Sequence, residues 1–335
     1  MSNGHFVISL DFELYWGVRD KRALADYREN LAGVPRVIHE LIRVYGKYNV
    51  RATFATVGFL FLRDKGEWLR NFPDVLPAYS DAGLSPYSSG VADSINDGNE
   101  KYHFAPELVR SLISAGHELG CHTFSHYYCL EDGQTAESFK SDLRAAKKIA
   151  AAYGIELESI VFPRNQYSDA YLDVCQEEGF TSFRGTENSW IYRARAKNDE
   201  SLLRRLFRLA DTYLNISGQH CYADQEMSGG TLCNIPSSRL LRAYNSKLNF
   251  LERLRLRRIK RGMTYAAKRG LTYHIWWHPH NFGKDCERNI SFLEKILEHY
   301  AYLNNKYGFE SITMRDLAAK LTSKNPGIGH LVDAV

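Results

Sequence analysis

The feature that most constrains this chain is a recurring alternation of short apolar runs with longer amphipathic segments. His5–Phe12 is mostly apolar and reads as a buried strand, and Arg51–Val57, rich in β-branched and aromatic residues, reads as another. Between them, Pro35–Tyr48 carries Val37, Ile38, Leu41, Ile42 and Tyr45 at the three-and-four spacing of one helical face, with Pro35 near its first turn. The same reading gives a helix near Glu107–Ala115, a strand at Glu118–His122, a long helix over Ala136–Tyr153 and a strand at Ser159–Pro163. Asp169–Glu178 then reads as a helix, Phe180–Arg184 and Thr272–Trp277 as strands, and Glu310–Leu321 as a last strand–helix unit whose helix opens at Thr313 or Met314. Repeated strand–helix units require a parallel sheet covered by helices. The expected fold is therefore α/β, a (β/α) barrel in preference to a doubly wound sheet.

Two stretches break the rhythm. Residues 84–104 are dense in Ser, Gly, Asn and Asp, and residues 194–238 mix charged, Gly-Gly and Cys-containing pieces; both are expected to be loop insertions that shape a cleft. Arg239–Gly270 has a basic amphipathic pattern. It is expected to be a helix that covers the barrel with a solvated basic face, or one that draws a phosphate-bearing substrate or anionic lipid headgroups. Residues 324–335 read as a flexible tail. A net charge of +4 over 335 residues excludes a wholesale nucleic-acid binder. Met1–Gly4 runs into eight apolar-rich residues, too few for a signal sequence or a membrane span, and the expectation from this is a cytoplasmic protein. Six scattered cysteines without a C-x-x-C pair fit buried thiols better than a disulfide framework.

The chemistry-bearing residues fall at strand ends. Asp11 and Glu13 close the first strand on one face. His122 and His126 follow the third; if the chain turns helical at His122, the two imidazoles lie one turn apart and can grip one metal ion. No Glu follows the first His, so a carboxylate must come from elsewhere, and strand ends of a parallel barrel converge on one face and can supply it. Two more strand ends add Arg164-Asn165-Gln166-Tyr167 and Trp277-His278-Pro279-His280. An Arg beside a carboxylate keeps it ionised, and a His opposite a metal can protonate a leaving group. His280 is a second candidate for that acid, or a residue supporting the site.

These segments resemble the polysaccharide deacetylase family, carbohydrate esterase family 4, over Phe6 to about Phe282. The resemblance rests on Ser9-Leu10-Asp11-Phe12-Glu13, Arg51-Ala52-Thr53-Phe54, Gly116 through His126, and His278 after an aromatic strand. It implies an incomplete, distorted, seven-stranded TIM-like barrel as a single domain. It also implies that His122 and His126 bind a divalent metal, most often zinc, with cobalt, nickel or manganese acceptable, together with a carboxylate of the first block. Phe12 between the acids places the chain with a divergent Asp-x-Glu branch; Asp11 is assigned as base and Glu13 as ligand, with the reverse open. Arg164 would orient the base and His278 would be the acid. Trp190 is matched to the family's Trp that packs on that His, and His280, Tyr167, Asn165 and Trp277 are expected to bind substrate or support the site. The implied reaction is metal-dependent removal of an N-acetyl or O-acetyl group from a sugar, such as a nucleotide- or lipid-linked precursor or an oligosaccharide of a surface polysaccharide. The alternatives are a related C–N hydrolase acting on a formyl group or a ureide, and a non-catalytic sugar-binding protein.

Overall fold

The structure, a computed structural model, describes residues 3–192, 202–230 and 232–324. One sheet organises them. Its strands are β1 His5–Phe12, β2 Thr53–Thr56, β3 Glu118–Cys121, β4 Ser159–Ile160, β5 Ser182–Phe183, β6 Cys233–Asn234, β7 Arg239–Leu240, β8 Thr272–Trp277 and β9 Glu310–Ser311. They run in the order β6-β5-β4-β3-β2-β1-β8-β7, all parallel, with β9 also beside β1. No ladder joins β6 to β7 among the described residues, so the barrel is incomplete.

β1 is the hub. All eight of its residues are buried, as a strand covered on both faces should be. β8 pairs along it from His5 to Leu10, while on the other side β9 takes His5 and Phe6 and β2 takes Ser9 to Phe12. Helices Val34–Lys47, Pro106–Ser114, Ala136–Ala151, Asp169–Glu177 and Glu252–Arg269 bury one face each in a single apolar cluster that runs from Phe6 to Phe309. The helix Met314–Lys324 closes the barrel's amino-terminal end. Its first amides, Met314 N and Arg315 N, donate to Thr53 Oγ1 at 2.9 Å and Glu118 Oε2 at 3.1 Å. The carboxyl ends of the strands are left as the open face, where ligands meet such folds.

Among the described residues the sheet has nine strands rather than the seven expected, because β6 and β7 are two-residue pieces too short to show a periodicity and fall at the edge of the stretch read as irregular. Arg239–Gly270 is likewise not one helix. Arg239 pairs in register with Ile275 as part of β7, and the helix starts only at Glu252. The insertion at 84–104 packs rather than floats: Ile95, Tyr102 and Phe104 are buried, and Trp16 Nε1 donates to His103 O at 2.6 Å. The long helix Cys286–Tyr307 went unread in the sequence. All six cysteines are free, and Cys121 points into the core, away from its neighbour His122. Residues 325–335, nearly all of the expected tail, lie outside the described residues, as do 194–201 and 231 of the second insertion. No helix among the described residues is long and apolar enough to cross a membrane.

Candidate active site

Asp11 ends on the barrel face of β1, and Glu13 follows it on the same face by strand alternation; each is 3% exposed. Glu13 Oε2 lies 3.1 Å from His122 Nε2 and 2.9 Å from His126 Nε2. His122 donates from Nδ1 to Val161 O at 2.7 Å, which fixes its tautomer and turns the Nε2 lone pair toward the carboxylate. Glu13, rather than Asp11, is thus the carboxylate that faces both imidazoles. The donor atoms of Glu13, His122 and His126 lie within 4.8 Å of one another, all buried. Two imidazoles and one carboxylate on an open barrel face fit a divalent ion of the zinc type, with coordination positions left over for water and substrate.

The two histidines do not share a helical face. His122 to His126 is a loop in which Thr123 and His126 take left-handed backbone, φ 60° and 59°. Buried Asp142 holds it: the carboxylate accepts from Phe124 N at 2.6 Å, from Ser125 N at 3.2 Å and from the Ser125 hydroxyl. Burial pushes the Asp142 carboxyl up to about 7 against those three donated bonds. Gly58 is needed here as well, because a Cβ on it would run into Phe124.

Asp11 is held by Arg184, not by Arg164. Arg184 donates from both terminal nitrogens to the Asp11 carboxylate, at 2.6 and 2.9 Å, and also to Ser9 Oγ and Asn165 Oδ1. It is fully buried, with its guanidinium 4.1 Å from the centre of the Trp276 ring. Burial alone would raise the Asp11 carboxyl; Arg184 outweighs it, helped by His122 and His278, and the group stays below its ordinary range. Arg164 sits instead in a tight turn at φ 56°, which throws its side chain over the Tyr128 ring to Asp20 and to Glu131 at 3.0 Å. Arg184 went uncounted in the sequence although it follows β5 directly. Its neighbour Phe183 packs outward on Tyr167, and alternation aims Arg184 inward.

His278 leaves the end of β8 with Nε2 at 3.6 Å from Asp11 Oδ2 and 3.5 Å from Glu13 Oε1, its side chain 23% exposed. His280 Nε2 is 3.8 Å from Glu13 Oε1 but is buried, and burial drives its imidazole down to about 3. Of the two, only His278 can meet a ligand from the open face; His280 backs Glu13 as a neutral ring. The Glu13 carboxyl itself is held well below its usual range, burial being outweighed by His278 and His126. Trp276, not Trp190, packs on His278, with ring centres 5.5 Å apart. Trp190 is 53% exposed and meets Phe207 and Arg204. Trp277 points to the core and stacks on Phe282. Tyr167 packs on Phe162 and Phe183 beneath the site, and Asn165 reaches it through Arg184.

Residues 32–183 match the family model described as polysaccharide deacetylase. Over that stretch, just under half of the chain, the protein is similar to the polysaccharide deacetylases. Among solved structures, one assigned to the polysaccharide deacetylases from Mycobacterium smegmatis aligns at TM-score 0.57 and 13% identity, over 96% of this chain and 92% of that one. Another, from Pseudomonas aeruginosa PAO1, aligns at 0.56 and 12% over 96% and 92%. The Puue allantoinase aligns at 0.54 and 10% over 96% and 91%. At these identities the likeness is one of fold alone. No curated protein sequence matches the chain.

Proposed function

We propose that this protein is a member of the polysaccharide deacetylase family and acts as a metal-dependent hydrolase that removes an acetyl group from an amino sugar or sugar ester. The observation that carries the reading is the shared Glu13 Oε2 between His122 and His126, with Asp11 and His278 grouped around it. A divalent ion held by Glu13, His122 and His126 would supply a Lewis acid for the acyl carbonyl and acidify the attacking water. Asp11, kept ionised by its two bonds from Arg184, accepts the proton of that water. His278, partly open to solvent, donates a proton to the departing nitrogen or oxygen. Trp276 meets both the His278 ring and the Arg184 guanidinium, so one indole touches the acid and the residue that holds the base. Acetate and the free amine or alcohol leave.

The carbohydrate is a surface-polysaccharide precursor or oligosaccharide, and zinc is the favoured ion among zinc, cobalt, nickel and manganese. Complete base, acid and ligand sets weigh against a sugar-binding protein without activity. The fold shared with an allantoinase makes a ureide the rival substrate. The test is product release from N-acetylated nucleotide sugars, short N-acetylated oligosaccharides and allantoin, before and after chelation. Chelator-sensitive acetate is expected; turnover of allantoin alone would replace the proposal with the ureide reading, and acetate release indifferent to chelation would remove the metal from it.

A further inference from the structure

The helix Glu252–Arg269 carries eight Lys and Arg against one Glu. Two of the eight are spent inside the protein. Arg255 is buried on Glu252 and on Arg242 O, and Arg258 is buried on Gly218 O and Gln219 Oε1. Their bonds, with one from Arg242 to Thr212 Oγ1, fasten residues 212–219 along this helix. Arg253, Arg257, Lys260, Arg261 and Lys268 have no carboxylate within 4.0 Å among the described residues, and they line an open groove of about 830 Å³ on the outer wall of the barrel. None of the residues around Glu13 and Asp11 borders it.

A basic groove alone would suit any polyanion. The apolar residues beside it narrow the choice. On the helical repeat, Leu254, Arg257, Arg261, Tyr265 and Lys268 fall on one stripe, and Phe250 lies in the 3-10 turn just before the helix. Phe250 is 77% exposed and Leu254 42%, and on the fastened segment Leu214 and Ile216 are 58% and 49% exposed. A stripe about 21 Å long, in which apolar side chains stand among cations that have no carboxylate within 4.0 Å among the described residues, is complementary to the headgroup layer of an anionic bilayer, where the cations meet phosphates and the apolar groups leave water. A nucleic-acid backbone would leave Phe250, Leu214 and Ile216 in water.

We infer that this stripe and groove dock the protein on an anionic membrane surface. The polar–apolar alternation sits on the side of the barrel, so docking leaves the strand ends and the site at Glu13 uncovered. The inference stands apart from the hydrolytic reading: it concerns residues that touch neither Glu13 nor Asp11, and it is read without substrate.

The test is co-sedimentation of the full chain with phosphatidylcholine vesicles with and without phosphatidylglycerol. Binding is expected only with the anionic lipid, and should be released by salt. Each basic residue near such a surface contributes roughly fivefold, so the exposed pair Arg257→Glu and Arg261→Glu should weaken binding by about 30-fold or more. Phe250→Ser with Leu254→Ser should also weaken it and leave the remainder more salt-sensitive. A melting curve and metal binding like those of the parent show that both variants fold. Equal binding to both kinds of vesicle, or vesicle binding by the Glu variant at the parent's affinity, would overturn the inference. A single-stranded oligonucleotide held as tightly as the anionic vesicles would overturn it too, in favour of a nucleic-acid surface.

Discussion

Gly17 ends the short turn that follows Glu13, and it has no room for a side chain. A Cβ built on it overlaps Glu13 Oε1 and Cδ, far inside the 3.0 Å that real Cβ contacts respect. In Gly17→Ala the glutamate must therefore withdraw by about 1 Å, and a shift of that size in a reacting or ligating group costs on the order of 100-fold. The backbone at Gly17 is not left-handed, so the new methyl adds no strain of its own; the whole effect passes through Glu13. Because Oε2 of that side chain sits 3.1 and 2.9 Å from the two imidazoles, the loss should fall on metal affinity. Titration of chelated apo-protein with zinc should show a dissociation constant raised at least tenfold, with the melting temperature of the apo-protein little changed. Metal affinity equal to the parent's, in a variant whose fold is intact, would refute Glu13 as the ligand and with it the geometry of the site.

Arg184→Met leaves the Asp11 carboxylate buried without its guanidinium. It should cost roughly 3–5 kcal/mol of stability in denaturant unfolding, and the acid limb of any activity should move to higher pH as Asp11 loses the charge that held it down. Arg164→Met, whose partners are Asp20 and Glu131, should leave that limb in place. Asp142→Asn points an amide at backbone N–H groups that it must accept from, so it should lose about 1–3 kcal/mol and release the metal by loosening the His126 loop, read by calorimetry and metal analysis. His5, His103, His117 and His220 are each lowered from 6.5 to about 4, chiefly by burial. Between those values the unfolded chain binds protons that the native one refuses. Stability should therefore be full above pH 6.5 and fall steadily toward pH 4, as melting temperatures across that range will reveal; a flat profile would contradict it.

The residues whose positions could be read in the sequence are those governed by short-range pattern. The bounds of β1 and β8 follow from hydrophobic run length, and Glu13, His122, His126 and His278 follow from strand-end placement. What could not be read depends on which way a side chain leaves a turn. Arg164 and Arg184 both follow strands, and only the left-handed backbone at Arg164 sends it to Asp20 while Arg184 reaches Asp11. The same holds for the tryptophans, since one residue of phase decides that Trp276 faces His278 and Trp277 the core. The His122–His126 pair suggested a helical turn by its spacing, but a buried carboxylate distant in sequence, Asp142, imposes a loop instead. Strands of two residues, such as β6 and β7, hold their pairing by tertiary context alone and leave no periodic trace.

The most direct test is metal content per chain in the parent, Asp11→Asn and His126→Ala after loading and desalting. One ion per chain is predicted in the parent and in Asp11→Asn, which should nonetheless lose acetate release by orders of magnitude, and none in His126→Ala. Full metal in His126→Ala, or metal lost from Asp11→Asn, would contradict the division of the site into ligands and base.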